Sequence, residues 1–455
     1  MRRSFFLCCL MLIAGSGLSC RSVIAPTGSA AYGQQTSSST LKEKLQEMKQ
    51  AGLPTTPQEL QAPLPPNAQN AAPLYRQLVA LLKTRPTVGD DKTATDGVGL
   101  PPMTAEQAKK LRKAFQNRAD IGRLIHQAVA RPDCVFDRQW AQGTSMLFPE
   151  FAKMRMAARW LSAESALQLY DGKPLVAVQT EALGFRVAFH AAKDPMLIAY
   201  LVANAIDAIT LRGMERILYA AGDQPGVALA IQQAIEAGAQ PRSLAHGFRG
   251  EFILPLVELD KNRKISPDAY EKSAHAYGES DLPKPFPPLS AADKQNWGQF
   301  VDRSETAMLR MQHQMINLAD RPYQEAQRGL YSVTSDLSAH AHDAAYNVAR
   351  IIYLVYSQAL TKRAQMAAKV AAVRAGAAIL AWKVKHKTLP ATLEMAMPHI
   401  PLDPFNGQPM RYQKSGNTFI IYSVGPTGHF DGGAATVKPN AMETVFRYPM
   451  PVYFK

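Results

Sequence analysis

The densest group of possible metal ligands in the sequence is His340, His342 and Asp343, in the run His-Ala-His-Asp. Residues two apart can chelate from a strand, but on a helix they point about 200° apart. This run begins a helical pattern, and no second group of ligands accompanies it in the sequence. The spacing is therefore typical of a capped, solvated helix entrance, and we predict no metal site there.

Two acids and one thiol are the next residues that could take part in catalysis. Glu164 and Glu181 lie on neighbouring predicted helices, where two carboxylates facing one groove could act as general acid and base. Acids on helices are more often solvated or paired with arginine. Cys134, in the run RPDCVF, is most simply a small, semi-buried side chain rather than a reactive thiol. The sequence thus assigns no catalytic residue.

Short motifs with an established mechanism are missing from the sequence. It contains no H-E-x-x-H, G-x-S-x-G, G-x-G-x-x-G or G-x-x-x-x-G-K-S/T. The four tryptophans are expected to line a core or a groove rather than to form sugar platforms; they are Trp140, Trp160, Trp297 and Trp382. We therefore predict no cofactor.

Helical periodicity dominates the middle of the chain. One helix is predicted to end at Asp171-Gly172-Lys173-Pro174 and a second to run to about Ala192. Asp194 and Pro195 are predicted to supply the N-cap and first residue of a third helix. These helical hairpins resemble degenerate tetratricopeptide-type repeats, although the 34-residue period with its usual residues does not recur. The run PMLIAYLVANAIDAITLRGMERIL is similar to a helical region of uncharacterised exported bacterial proteins, a resemblance that implies no activity.

Further helices flank these hairpins. A short one is indicated by Leu41, Leu45 and Met48, which recur at helical spacing. Beyond a proline-rich loop, helices are predicted at about 291–326 and 342–386, the last with a possible break near Thr361. The predicted fold class is mainly α: an array of helical hairpins followed by a small α+β module, with a long helix against a three-stranded antiparallel sheet.

The C-terminal module carries the most specific sequence pattern. MRYQ and TFIIYSV are predicted as strands joined at Ser415-Gly416-Asn417, and TVFRYP as a third strand. Over roughly 365–450 the chain resembles the soluble domain of the type II secretion major pseudopilin, a type IV pilin-like fold. The matching segments are HKTLPATL at 386–393, LDPFNG at 402–407, Arg411-Tyr412 and YSVGPTG at 422–428.

The pseudopilin resemblance implies a calcium loop after the YSVGPTG strand. In that family, aspartates and main-chain carbonyls bind the ion. Here Thr427 stands where an aspartate is expected, and Asp431 is the one remaining candidate ligand between Thr427 and Gly433. Calcium normally takes six to eight oxygen ligands. We therefore predict no metal site, with Asp431 as a weak calcium candidate. The prepilin peptidase site of the family is also missing, so the module is not expected to form a fibre.

The N-terminus has the pattern of an export signal. Arg2 and Arg3 precede an apolar stretch at 5–14, and small residues lead to Cys20. Gly17-Leu18-Ser19-Cys20 resembles a bacterial lipobox, with the usual leucine shifted by one position. The resemblance implies lipidation of Cys20 and attachment to the extracytoplasmic side of a membrane. The alternative is a cleaved signal with an incidental cysteine, which would make the protein secreted.

Charge and cysteine content limit the partners. The net charge of +14 becomes +12 when residues 1–19, with their two arginines, are removed. The basic residues are scattered and lack a nucleic-acid-binding motif, so we predict no nucleic acid partner. Cys8 and Cys9 leave with the signal; once Cys20 is lipidated, Cys134 has no intrachain disulfide partner. The predicted partners are a membrane, through the lipid anchor, and a protein or peptide.

The predicted domain order is a signal peptide at 1–19, a lipid-anchored flexible tether at 20–67, a helical domain at 68–360 and a pilin-like module at 361–455. The favoured function is an interaction or scaffold protein of the cell envelope, without evident catalysis. Two alternatives remain open: an accessory component of a type II secretion or pilus-like apparatus, and an envelope hydrolase with its site in a helical groove.

Overall fold

A computed structural model of the chain describes residues 40–84, 102–271, 287–429 and 444–449. Cys20 and Asp431 lie outside these ranges. The predicted fold class is confirmed: helices make up most of the described chain, and a three-stranded antiparallel sheet follows them.

The first half of the chain is helical. Its helices are α1 (Leu41–Gln50), α2 (Ala72–Thr84), α3 (Ala105–Asn117), α4 (Ala119–Val129), α5 (Pro149–Tyr170), α6 (Pro174–Ala191) and α7 (Leu197–Ala221). Two 3-10 turns, Pro57–Leu60 and Trp140–Ser145, interrupt them.

The second half adds more helices and the sheet. Its helices are α8 (Val227–Gly238), α9 (Leu244–Asn262), α10 (Ala291–Gln295), α11 (Trp297–Ala319), α12 (Tyr323–Ala339), α13 (Asn347–His386) and α14 (Leu393–Ala396). A 3-10 turn at Ala344–Tyr346 leads into α13, and the strands are β1 (Arg411–Ser415), β2 (Thr418–Tyr422) and β3 (Val445–Tyr448).

Helices α5, α6 and α7 form the predicted hairpins. Gly172, with φ of +73°, makes the turn between α5 and α6, and Pro174 opens α6 because its missing N–H needs no partner there. Helices α6 and α7 approach closely at two glycines: Gly184 lies against Thr210, and Gly213 lies against the carboxylate of Glu181. The absence of a side chain at each glycine permits this approach.

The predicted start of the third helix is wrong. Helix α7 begins at Leu197, after Met196 in an extended conformation, and Asp194 does not cap it. The Asp194 carboxylate instead binds Arg138, which lies 56 residues earlier in the chain. Glu251, from α9, accepts a hydrogen bond from the Leu197 amide at 3.1 Å. A long-range ion pair has therefore displaced the local cap.

Two predicted helix boundaries also differ from the structure. The single helix expected at 291–326 is interrupted at Asn296 and ends at Ala319, and a separate helix runs from Tyr323 to Ala339 after Pro322. The long helix begins at Asn347 and continues through Thr361 without the suggested break. Proline cannot continue a helix hydrogen-bond ladder, so Pro322 explains the first boundary.

The sheet confirms the predicted strands. Its order is β1-β2-β3, with Gln413 opposite Ile420 and Ile420 opposite Arg447. Buried Phe419, Ile421 and Phe446 face the C-terminal half of α13, where Phe446 packs on Gly376. Residues of α7 and α8 belong to the same core. The expected domain boundary at 360/361 thus falls inside α13, and the sheet shares its core with the helical array.

The described part of the predicted tether is folded. Thr40 and Glu43 form a capping box at the start of α1. Met48 is fully buried in the core of the helical array, which we call the first core; the core beneath the sheet is the second core. Glu47 pairs with His313 of α11 at 3.0 Å. Residues from Thr40 onward therefore belong to the globular part, and a tether has only residues 20–39 available to it.

Two helices of the described chain are long and apolar enough to cross a membrane. They are Leu197–Ala221 and the stretch Ala344–His386, but 72% and 61% of their most apolar windows are buried inside the protein. Burial of this kind is typical of the central helices of a large core.

We predict that Gly213→Ala destabilises the protein. A Cβ at this position would lie 1.9 Å from the Glu181 carboxyl carbon, so the carboxylate must move and its buried ion pair with Arg216 is weakened, at a cost of about 3 kcal/mol. Gly298→Ala is the matched control, because it lies in α11 with no atom near the added Cβ and should gain about 0.5 to 1 kcal/mol. Urea unfolding measures both; equal stabilities would contradict the prediction.

Candidate functional site

A surface groove of the described chain lies between α2 and α4. Each helix buries one apolar face in the first core, and the edges of the two helices leave an open depression of about 560 Å³. Its lining residues are Gln77, Ala80, Leu81, Thr84, Asp120, Arg123, Leu124 and Gln127.

The groove combines an apolar floor with a polar rim. Leu81 and Leu124 are half-buried and offer apolar surface. Gln77 and Gln127 carry amides, which can both donate and accept hydrogen bonds. A peptide main chain presents the same two kinds of group in alternation. The groove is open rather than enclosed, so its geometry suits a surface-bound segment better than a small molecule, most of whose surface a pocket must cover.

Beneath this region, Tyr75 and His190 form a buried polar link. His190 Nε2 lies 3.0 Å from the carbonyl of Arg131, so this nitrogen donates, and Nδ1 accepts from the Tyr75 hydroxyl at 3.2 Å. Burial lowers the pKa of His190 to about 4. The imidazole is therefore neutral near pH 7 and ties α2 to α6.

Cys134 is fully buried close to this link. Burial raises the pKa of its thiol well above the ordinary value, which disfavours the thiolate that a nucleophile requires. The inert, buried state agrees with the sequence interpretation of Cys134, although the side chain is more deeply buried than expected.

Arg138 is the centre of a buried ion cluster. Its guanidinium donates to Asp194 Oδ2 from Nε at 3.0 Å and from Nη2 at 2.7 Å, and to Glu150 Oε2 from Nη1 at 3.0 Å. The same guanidinium lies 4.2 Å from the ring centroid of Phe136. Burial raises the pKa of Asp194, and the charge of Arg138 opposes that rise. The cluster holds the 131–138 segment, the start of α5 and the α6–α7 turn together.

The two acids considered from the sequence do not face one another as a pair. Glu181 is 1% exposed and accepts from Arg216 Nη2 at 3.1 Å, while Arg216 also donates to the Ser162 carbonyl at 2.8 Å. Burial raises the pKa of Glu181, against the effect of Arg216. Glu164 points elsewhere and lies 2.9 Å from His126 Nε2, which raises the pKa of that histidine. Each acid has a basic partner of its own.

The His-Ala-His-Asp run has structural roles. His340 Nδ1 lies 2.8 Å from the carbonyl of Asp336, and its ring stacks on Tyr346. Asp343 accepts from the Ala345 amide at 2.9 Å, capping the 3-10 turn, and pairs with Arg303. No group of three or more His, Cys, Asp or Glu residues in the described ranges is arranged to hold a metal ion.

In the C-terminal module, Asp403 joins two of the four segments that carry the pseudopilin resemblance, LDPFNG and YSVGPTG. It is 1% exposed; its Oδ1 accepts from the Phe405 amide and the Ser423 hydroxyl at 3.0 and 2.9 Å. Its Oδ2 accepts from the Val424 amide at 2.8 Å. Hydrogen bonds of Asp403 thus connect the LDPFNG loop to the residues that follow β2.

The loop implied to bind calcium is only partly described. Thr427 Oγ1 donates to the His429 carbonyl at 3.3 Å, a contact within the turn itself. Asp431 and Gly433 lie outside the described residues. The calcium candidate therefore stays a prediction.

The tryptophans fill core and surface positions. Trp140 and Trp160 are buried, Trp297 is half-buried and stacks on Phe300, and Trp382 is half-buried and stacks on His386 at a centroid distance of 3.8 Å.

Comparisons with known proteins identify no relative. No family model, curated protein or solved structure matches the chain at a significant level. The tetratricopeptide, pseudopilin and lipobox resemblances accordingly stay predictions.

Sequence reasoning missed the residues that organise the interior. Arg138 and Arg216 stand among many scattered basic residues, and no short motif marks them. The two aspartates gave a better local signal, since both precede proline: Asp194 was interpreted as a cap, and Asp403 stood inside a segment noted for its resemblance. Nothing in the sequence indicated the groove between α2 and α4.

We predict that Arg138→Met costs about 3 to 5 kcal/mol of stability, because it leaves the buried Asp194 without its cation and Glu150 with only Arg76, at 3.6 Å. The control is Arg112→Met, which removes an ion pair with Asp171 that is largely exposed and should cost at most about 1 kcal/mol. Thermal and urea unfolding give both values. Similar losses for the two variants would show that the Arg138 cluster is not the anchor described here.

Proposed function

We propose that the protein is an exported, lipid-anchored envelope protein of bacteria that binds a protein or peptide segment in the groove between α2 and α4. The observation that carries the proposal is the groove itself, with its leucine floor and amide rim. An extended segment can place apolar side chains against Leu81 and Leu124 while Gln77 and Gln127 pair with its main chain.

The buried charged groups support an interaction role over catalysis. Arg138 is bound by Asp194 and Glu150, and Arg216 by Glu181, all in the interior. These carboxylates lie away from solvent and hold helices together. A substrate would have to displace an ion pair to reach them, whereas a segment in the groove needs no such change.

The anchor part of the proposal derives from the leader. A diacylglycerol thioether on Cys20 together with an amide-linked chain supplies the two hydrophobic anchors that stable attachment requires. Residues 20–39 would then separate the membrane from the folded part that begins at Thr40. The groove would be presented on the extracytoplasmic side.

A second candidate is an accessory role in a type II secretion or pilus-like apparatus. It is favoured by Asp403, which joins the LDPFNG and YSVG segments into one hydrogen-bonded unit. Deletion of the gene should then lower the amount of secreted substrates in the medium, with rescue by the wild-type chain. Unchanged secretion would remove this candidate.

We expect a photo-crosslinking amino acid at Gln127 to give a discrete adduct with one partner in intact cells. The control places the same crosslinker at Gln233, an exposed position on α8. Adding Leu124→Arg should reduce the adduct more than tenfold, because a leucine contact of about 1.5 kcal/mol or more is lost. Leu229→Arg, at an exposed leucine outside the groove, should leave the yield unchanged.

The same cells test the anchor. Labelled fatty acid should be incorporated into the wild-type chain and not into Cys20→Ala. Equal adducts from Gln127 and Gln233 would contradict the groove, and label that survives Cys20→Ala would contradict the anchor; the two parts fail separately.

A further inference from the structure

The C-terminal module holds most of the net charge of the protein. Residues 361–455 contain twelve Lys and Arg against four Asp and Glu, a net charge of +8 out of +14 for the whole chain. In the described part of the module, the acids are Glu394 and Asp403, and Asp403 is buried under its hydrogen bonds. The exposed surface described here is therefore strongly cationic.

Four lysines lie at one end of this module, which we name the lysine end: Lys383, Lys385, Lys387 and Lys414. Three belong to the last turn and C-cap of α13. The Lys383 ammonium lies 5.1 Å from the ring centroid of Tyr448.

The sheet register brings the fourth lysine to the same place. Tyr448 is paired with Phe419, which is paired with Lys414 on β1. Since Lys383 lies on the ring of Tyr448, this row of the sheet is at the C-terminal end of α13. Lys385, Lys387 and Lys414 are exposed.

Stabilisation of α13 by cations at its C-terminus explains only some of the four lysines. Cations in the last turn of a helix interact favourably with its dipole, which suits Lys383 and Lys385. Lys387, however, has φ of +62°, a left-handed conformation that glycine usually adopts at the end of a helix. Lys414 lies on a strand, where no helix dipole acts on it. Besides burial, the negative charge of Asp223 helps to raise the pKa of Tyr448, so one carboxylate lies near this end of the module. Within the described chain, none of the three exposed lysines forms a salt bridge.

Aromatic side chains accompany the lysines. Trp382 is half-buried and stacks on His386, and Tyr448 is half-buried beneath Lys383. Tryptophan and tyrosine are favoured at the boundary between lipid headgroups and acyl chains, and lysines are attracted to anionic headgroups.

We propose that the lysine end docks on a membrane surface of anionic phospholipids. The interaction is electrostatic and does not need the lipid on Cys20. The proposed export decides only which membrane the module would meet. The membrane-binding proposal can therefore fail or succeed independently of the anchor and of the groove. Each lysine near such a surface is worth about fivefold in affinity.

The test uses the mature chain with Cys20→Ser, which cannot be lipidated, and vesicles of phosphatidylcholine with or without phosphatidylglycerol. We expect co-sedimentation with the anionic vesicles alone, weakened by salt. The triple variant Lys385→Gln, Lys387→Gly, Lys414→Gln should bind about a hundredfold more weakly. Because Lys387→Gly relieves the left-handed strain, thermal unfolding should show this variant folded.

The control variant removes three exposed lysines from α3: Lys109→Gln, Lys110→Gln and Lys113→Gln. It has the same net charge as the triple variant and should retain binding within a few fold. Equal losses in the two variants, absence of binding to anionic vesicles, or binding to a soluble polyanion without binding to vesicles would each overturn the proposal.

Discussion

The architecture depends on a layer of buried charge pairs where its two larger hydrophobic cores meet. Helix α7 contributes to the first core up to Ile206 and to the second from Leu211. Between and beside these residues, Asp207 binds Arg242, and Glu215 binds Lys369 of α13. On another side of α7, Arg216 binds Glu181 of α6. Removing one partner of such a pair would leave an uncompensated buried charge, so each pair opposes separation of the two segments that it joins.

Helix α13 crosses the same junction. Its first half packs in the core of the helical array up to Leu360, and its second half packs under the sheet from Ala371. The residues between include Lys362, Arg363 and Lys369, and Arg363 donates to the carbonyls at the end of α11. Two long helices and a charged layer therefore connect the array to the C-terminal module. This continuity explains why the suggested break near Thr361 is not observed: the polar residues there have partners.

The parts of the fold that the sequence predicted are those in which local pattern and final packing agree. The Asp-Gly turn before Pro174 and the strands on either side of Gly416 need only neighbouring residues. The sequence predictions are wrong where a residue far away in the chain determines the local structure. Asp194 has the sequence of a helix cap, but Arg138 lies 56 residues away and binds it in the interior. The polar composition around Thr40 suggested a tether, yet Met48 is buried against a helix more than 250 residues later in the chain.

The candidate site residues also depend on partners that are distant in the chain. Periodicity revealed which helices are amphipathic, but a groove requires knowing which two helices are neighbours, and the sequence does not pair α2 with α4. From the sequence we interpreted the basic residues as scattered. Their concentration at one end of the C-terminal module depends on the sheet register that brings Lys414 level with Tyr448.

The two proposed contact surfaces belong to different cores. The groove is formed by helices of the first core, and the lysine end by the last turn of α13 and the sheet over the second. The two surfaces share no residue. A segment in the proposed groove would therefore not compete with a membrane at the proposed lysine end for the same side chains. Helices α7 and α13 contribute side chains to both cores, so they connect the part of the protein that carries the groove to the part that carries the lysine end.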